Sequence, residues 1–441
     1  MTPAGLLSTG TRRERWAWYL YDFGNSAYAA VVLLAVYSAY FQGEVVGGPR
    51  GTSLWGWAVF IAMVVVALTA PVLGAIADFS GSKKRFLFFF TIVSCLFTAC
   101  LFFATPGQVV IGMGAFIVAE IGYRSAQVFY NGLLPEIAGP DEMGRVSGNG
   151  WAIGNVGAIV CLLLILPLIV LIGGTFIVRL SLVITAIFFV LFSLPLFFWL
   201  PERAQARPLP PGENYLSISF KRLAHTFRAA GRFREFIKFV VAFLVYNDGV
   251  IMALDFAAII GAVLFDMTQE QLILFVILVH VTNVAGAYVF GQLVDRTGGK
   301  RALLLSLLLM VVVIVWLFFN QTQSGYYLIG AVAGFAMAGA QSVSRTMVAL
   351  FSPHGQSAEF YGFFAFAGRT SSFIGPGVYG WLAAGVAFWL QDQGREALAA
   401  EQMGQRVAIL SIGLFILVGL ILLTFVDERK ARDAAAGEIE K

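Results

Sequence analysis

The sequence predicts an all-α integral membrane protein: twelve transmembrane helices arranged as two pseudo-symmetric six-helix bundles. Three observations predict it. Of the 441 residues, 59% are hydrophobic and 12% are charged, whereas water-soluble domains carry about 45–50% and about 25%. The apolar residues fall in runs of roughly 20, the length a helix needs to cross the hydrocarbon layer. One loop sequence also occurs twice. Gly74-Ala-Ile-Ala-Asp78-Phe-Ser-Gly81-Ser-Lys83-Lys84-Arg85 returns as Gly291-Gln-Leu-Val-Asp295-Arg-Thr-Gly298-Gly-Lys300-Arg301, and its aspartates stand 217 positions apart, about half the chain. A transmembrane barrel would need short segments of alternating polarity instead.

In chain order, residues 1–15 form a cytoplasmic N-terminus with Arg12, Arg13 and Arg15 ahead of the first apolar run. That run is too long for the core of a cleavable signal, so it reads as a retained first helix. The N-terminal bundle, 16–200, holds spans at 16–40, 54–77, 86–104, 109–131, 149–172 and 176–199. The C-terminal bundle, 236–426, holds spans at 236–264, 270–294, 301–319, 325–349, 361–389 and 405–426, and 427–441 is a cytoplasmic tail. Trp16, Trp18, Trp55, Trp57 and Trp199 fall near span ends, where amphipathic rings favour the membrane interface. Between the bundles, the linker 201–235 opens with Pro201, Pro208, Pro210, Pro211 and Gly212. Leu216, Phe220, Leu223 and Phe227 then recur at helical steps, with Lys221, Arg222 and Arg228 off the stripe. That pattern suits an amphipathic helix lying on the cytoplasmic leaflet or packed on protein.

Basic residues cluster in one set of loops, at Lys83–Arg85, Arg145, the linker, and Lys300–Arg301. The positive-inside rule then places both termini in the cytoplasm of a cell-membrane protein, an inner membrane where two exist. The net charge of +4 arises from these loops and does not indicate nucleic acid. Cys95, Cys100 and Cys161 lie in apolar runs without metal-ligand or disulfide spacing. No Walker loop or strand-linked glycine motif is present. No cofactor and no metal are implied, and a monomer is expected.

The duplicated loops carry a local chemistry. Gly74 and Gly291 allow close helix approach or a tight exit turn. Asp78 and Asp295 can accept hydrogen bonds from the N-terminus of a neighbouring helix. Gly81 and Gly298 permit the short turn, and Lys84 and Arg301 with their basic neighbours hold the loops at the cytoplasmic side. Such loops would latch helix ends in one conformation and release them in another. Gln127 and Gln341, and Gly148 and Gly362, are also 214 apart. Two parallel repeats related by an axis along the membrane normal give that pattern.

The doubled Gly-x-x-x-Asp-x-x-Gly-x-Lys-[Lys/Arg] loop resembles the signature of the major facilitator superfamily, over nearly the whole chain. The first copy departs from it, with Phe79 where the second keeps a basic residue, Arg296. A narrower resemblance lies in Trp18-Tyr-Leu-Tyr-Asp22-Phe-Gly-Asn25-Ser26-Ala27-Tyr28, Tyr130-Asn-Gly-Leu-Leu-Pro135-Glu136, Arg145-Val-Ser-Gly-Asn-Gly-Trp151, Tyr246-Asn247-Asp248-Gly249, Gln341-Ser-Val-Ser-Arg345 and Glu359-Phe-Tyr-Gly362. These are similar to the family that includes the yeast vacuolar amino-acid effluxer linked to autophagy. The resemblance implies a major facilitator fold and transport, with amino-acid export in the yeast relative.

An ionisable group at mid-membrane costs about 2.5–3.5 kcal/mol on insertion scales, so such groups mark the interior or a pathway. Asp22 and Asn25 lie in span one, Glu120 and Arg124 in span four, Asn247, Asp248 and Asp255 in span seven, and Arg369 in span eleven. Glu120 and Arg124 share a helix face and read as an ion pair, structural or on the substrate or proton route. Asp248 and Asp255 are candidates for a proton or cation site, unless Asp248 pairs with Arg124 or Arg369. Asp22 and Asn25 line an inner vestibule or pack the helix. His280 reads as a packing residue rather than a proton carrier.

These residues predict a secondary active transporter, not an enzyme, moving a small polar solute such as an amino acid by symport or antiport with protons. The expected partners are that solute, protons and membrane lipids. A uniporter or an exporter of sugars, peptides or drugs would look much the same. A non-transporting receptor or scaffold is the alternative of another class.

Overall fold

A computed structural model describes residues 10–138, 143–203, 214, 215, 217, 221, 233–352, 360, 363, 364, 367, 368 and 374–436. Every regular element in it is helical. The helices are α1 Arg12–Tyr28, α2 Gly48–Phe79, α3 Lys83–Cys100, α4 Val109–Gly132, α5 Met143–Leu171, α6 Gly174–Trp199 and α7 Arg234–Asp255. They continue as α8 Ala257–Phe265, α9 Gln269–Thr297, α10 Gly299–Phe319, α11 Gln323–Phe351, α12 Ile374–Asp392, α13 Ala397–Thr424 and α14 Glu428–Ala436. Among the described residues, 11 helices are long and apolar enough to cross a membrane. Helix α12, described from Ile374 on, is not one of them. Outward faces are apolar: Leu163, Val170, Phe176, Ile187, Leu191 and Phe198 are all more than half exposed. That arrangement is stable against lipid and not against water.

Two expected spans differ from their sequence reading. The first is longer than 16–40, because the coil continues past Tyr28 through π-helical turns at Ala29–Ala35 and Phe41–Val46. A π turn adds a residue without breaking the apolar run, so hydropathy does not register it. The seventh is not one helix over 236–264. It breaks at Phe256 into α7 and α8, and the Asp255 carbonyl at the break accepts a hydrogen bond from Trp55 Nε1 at 2.9 Å. An outside donor at this point replaces part of the helical ladder that the break gives up.

Contacts group the chain into two compact units: residues 1–32, 68–104 and 110–221, and residues 33–67, 105–109 and 222–441. In the first unit α1 packs on α5 and α6, and α3 packs on α6. In the second, α7 packs on α12 and α13, and α10 packs on α13. The same pairings therefore recur half a chain apart. Close crossings depend on missing side chains. A Cβ at Gly157 would lie 2.1 Å from the Phe23 carbonyl, and one at Gly334 would lie 2.5 Å from the Val279 carbonyl. Small residues at such positions let helices approach closely.

Candidate functional site

Three polar constellations interrupt the apolar interior. The first lies within the first unit, on α1, α4 and α5. Arg124 Nε lies 2.7 Å from Glu120 Oε1, so the expected i,i+4 pair forms. Glu120 is fully buried, whereas the Arg124 side chain keeps 23% of its surface. The guanidinium sits 5.3 Å from the Tyr123 ring centroid, and Tyr123 stacks on Tyr28 at 4.5 Å. The Tyr28 hydroxyl is buried beside the Glu120 carboxylate. Three residues before Tyr28, Asn25 Nδ2 donates to Asp22 Oδ1 at 3.5 Å. The Asp22 carboxylate and Ser26 hydroxyl lie over Gly154 of α5, where a Cβ would meet them at 2.9 and 2.7 Å. Thus Asp22, Asn25, Glu120 and Arg124 belong to one unit, as parts of a cluster of acid, cation, amide and tyrosine groups. Tyr28 and Tyr123 were not singled out from sequence, because a tyrosine in an apolar run carries no pattern that separates a site from packing.

The second constellation lies within the second unit, on α7, α11 and α12. Asp248 is 2% exposed, and its Oδ2 accepts the Gly375 N–H at 2.9 Å, at the start of α12. Its Oδ1 meets no hydrogen-bond donor among the described residues. Asn247 Nδ2 donates to the Gly368 carbonyl at 3.4 Å, and the Tyr246 hydroxyl bonds Ser344 Oγ at 2.6 Å. Asp255 is 3% exposed and ends α7 at the break. His280 Nδ1 faces the Val276 carbonyl one turn back at 3.0 Å, in keeping with a packing role. Arg369 lies outside the described residues.

The third constellation is a buried polar seam, also within the second unit, and sequence reasoning missed it. It joins residues 33–67 to α12 and α13. Gln42 Nε2 donates to Glu401 Oε1 at 2.7 Å. Gln405 Nε2 donates to Thr52 Oγ1 at 2.8 Å and its Oε1 accepts from the Tyr379 hydroxyl at 2.7 Å. Gln42, Thr52, Glu401 and Gln405 are all buried. Their partners are 353 and 359 positions away, which no local pattern in a sequence can pair.

The duplicated loops are tied down by contacts that the sequence reading did not include. Gly81 and Gly298 have φ of +60° and +87°, so the turns do require glycine. No close approach requires it at Gly74 or Gly291, where a Cβ would meet no described atom within 4 Å. The side chains of Asp78 and Asp295 lie outside the described set. Among the described residues, a carboxylate at the N-terminus of α3 is Glu202, whose Oε2 accepts the Lys84 N–H at 2.8 Å. Lys84 Nζ in turn donates to the Phe197 carbonyl at 3.0 Å and to the Leu200 carbonyl at the end of α6. The second copy repeats this clamp. Glu428 Oε2 accepts the Lys300 N–H at 2.9 Å, and Lys300 Nζ donates to the Thr424 and Val426 carbonyls at 2.8 and 2.6 Å. In each half, then, one lysine neutralises the C-terminus of the last helix while a carboxylate just beyond that helix caps the N-terminus of the third. Each element of the clamp follows the dipole signs of two adjacent helix ends. The repeated Glu202-Arg203 and Glu428-Arg429 pairs were the signal for it in the sequence. The basic cluster on the first loop is also engaged, with Lys83 Nζ 2.7 Å from Glu136 Oε1.

The chain's kinship follows from comparison with known proteins. The profile of the family described as "Vacuole effluxer Atg22 like" matches residues 51–436. The MFS-type transporter YxiO of Bacillus subtilis is 26% identical, over 96% of this chain and 97% of its own. Autophagy-related protein 22 of Yarrowia lipolytica is 22% identical, over 78% of this chain and 72% of its own. In structure, a bacterial homologue of the human lysosomal transporter Spinster, crystallised inward-facing and unoccupied, superposes with a TM-score of 0.72. It covers 96% of this chain and 98% of its own at 14% identity, a likeness of fold. With its apolar spans and buried charged clusters, this chain belongs to the vacuole effluxer Atg22-like family, and it is a multi-pass, MFS-type secondary transporter of small solutes.

Proposed function

We propose that this transporter moves an amino acid or a similar small zwitterion, coupled to protons, by alternating access between two pseudo-symmetric bundles. The observation that carries the coupling is Asp248: a carboxyl buried at mid-helix, with one oxygen holding the first turn of α12 and the other without a donor among the described residues. A proton gained there removes the charge that α12 holds, so protonation and the position of α12 become linked. The Glu120–Arg124 pair suits the substrate, because a zwitterion offers a carboxylate to the guanidinium and an ammonium to the carboxylate. The family's description as vacuole effluxers supports solute export. The recurring helix pairings and the duplicated clamp support the two-bundle arrangement. Both termini on the cytoplasmic side would place the clamps there, and would make the Gln42–Glu401 seam an outer closure that parts in each cycle.

Reconstituted liposomes test this. A panel of labelled amino acids, sugars and short peptides should show counterflow for an amino acid, and an imposed pH gradient should drive its accumulation. Asp248→Asn should keep counterflow, since an amide oxygen still accepts the Gly375 N–H, while gradient-driven accumulation is lost. Accumulation by the asparagine variant equal to that of the parent protein would remove Asp248 from the coupling.

A further inference from the structure

The clamp of the second half borders a hollow. It has a volume of about 640 Å³ and lies where α7 and α10 begin, α13 ends and α14 starts. Its basic lining is Lys238, Lys300, Arg301, Arg429, Lys430 and Arg432, against three acidic side chains. Those three acids are already engaged inside the protein. Glu235 takes Lys238 Nζ and the Asp427 N–H, both at 2.7 Å. Glu428 takes the Lys300 N–H and, at 2.7 Å, Arg432. Asp427 lies 3.6 Å from Lys430. Positive charge is therefore in excess by three, and the exposed Arg301 and Arg429 have no acidic partner among the described residues. In the first half, Lys83 pairs with Glu136 and Arg203 with Glu14 at 2.7 and 2.9 Å.

The hollow also opens onto the lipid-facing surface. Phe425, on its rim, is 66% exposed. Below it, Ile421, Leu417 and Leu414 on α13 and Leu305 and Leu308 on α10 present exposed apolar side chains. A cationic hollow directly above an acyl-chain-compatible face matches an anionic amphiphile in both its parts. We propose that this hollow binds the phosphate headgroup of an anionic phospholipid of the adjoining leaflet, with its acyl chains along α10 and α13. Such a lipid would rest against the Lys300–Glu428 clamp and stabilise the clamped arrangement.

The full-length protein, purified and exchanged into mixed phosphatidylglycerol and phosphatidylcholine micelles, provides the test. Native mass spectrometry would count retained lipids, and thermal unfolding would be followed with phosphatidylglycerol, phosphatidylcholine or inorganic phosphate added alone. Phosphatidylglycerol should be retained selectively and should raise the unfolding temperature. The double variant Arg301→Gln/Arg429→Gln should lose retention on the order of thirtyfold, from about one decade or less per basic residue near the surface. The variant Arg395→Gln, in the loop between α12 and α13, should retain lipid like the parent. If the double variant does not fold, Arg429→Gln/Lys430→Gln on the exposed face of α14 should show the loss instead. Equal retention of the two lipids, or parental retention in the folded variant, overturns the proposal. So does a shift by inorganic phosphate that matches the lipid's, since the site would then take a free anion.

Discussion

Replacing Glu120 by glutamine separates scaffold from site in the first constellation. Removing one partner of a fully buried ion pair costs about 3–5 kcal/mol, because a charge is left without compensation. An exposed pair is worth at most about 1 kcal/mol. Glu120 is fully buried, but Arg124 keeps 23% of its side-chain surface and lies over the Tyr123 ring, so it retains other favourable surroundings. The glutamine also keeps one acceptor for Arg124 Nε. Together these place the expected loss at about 1–2 kcal/mol. Thermal unfolding and liposome counterflow would be measured for Glu120→Gln, Arg124→Gln and the double variant. Stability should recover in the double variant, because the uncompensated charge is gone. Counterflow should fall at least tenfold in all three if the pair contacts substrate. Recovery of transport along with stability in the double variant would refute the substrate role and leave a structural pair.

The remaining predictions concern the clamps and the seam. Glu428→Gln should cost about 1 kcal/mol, from a weakened cap and a lost favourable dipole interaction, and hydrogen exchange should quicken at residues 299–302 in particular. Unchanged exchange there would argue against the clamp. Burial pushes the Glu202 carboxyl above its ordinary value, with the Lys84 N–H pulling the other way. A carboxyl raised in the folded state contributes stability below its unfolded value and loses it as the pH rises through the folded one. Stability of the parent relative to Glu202→Gln should therefore improve as the pH falls toward the ordinary carboxylate range in thermal melts; a decline would reverse the assignment. A Cβ at Gly56 would stand 2.4 Å from the Pro376 carbonyl and 3.1 Å from Gly380 Cα, so Gly56→Ala should cost about 1–3 kcal/mol by overpacking and strain the seam open. Maleimide labelling of a cysteine at Thr52, which is fully buried in the parent, should rise in that background.

Much of the fold was legible before any coordinates, because lipid imposes a simple code. A spanning segment must be apolar for about 20 residues and must satisfy its own backbone, so runs in the sequence become helices. The turn glycines Gly81 and Gly298, the Glu120–Arg124 pair and the burial of Asp248 could all be read locally, since each depends on spacing within one helix or loop. Tertiary structure alone decided the rest. The break at Phe256 answers to Trp55, Glu202 caps the start of α3, and Glu401 finds its partner in Gln42. Hydropathy averages over such positions, whereas a hydrogen bond depends on two atoms meeting across hundreds of residues of chain. Periodicity therefore determined which segments lie in the membrane, and only packing between distant helices determined which polar groups face one another.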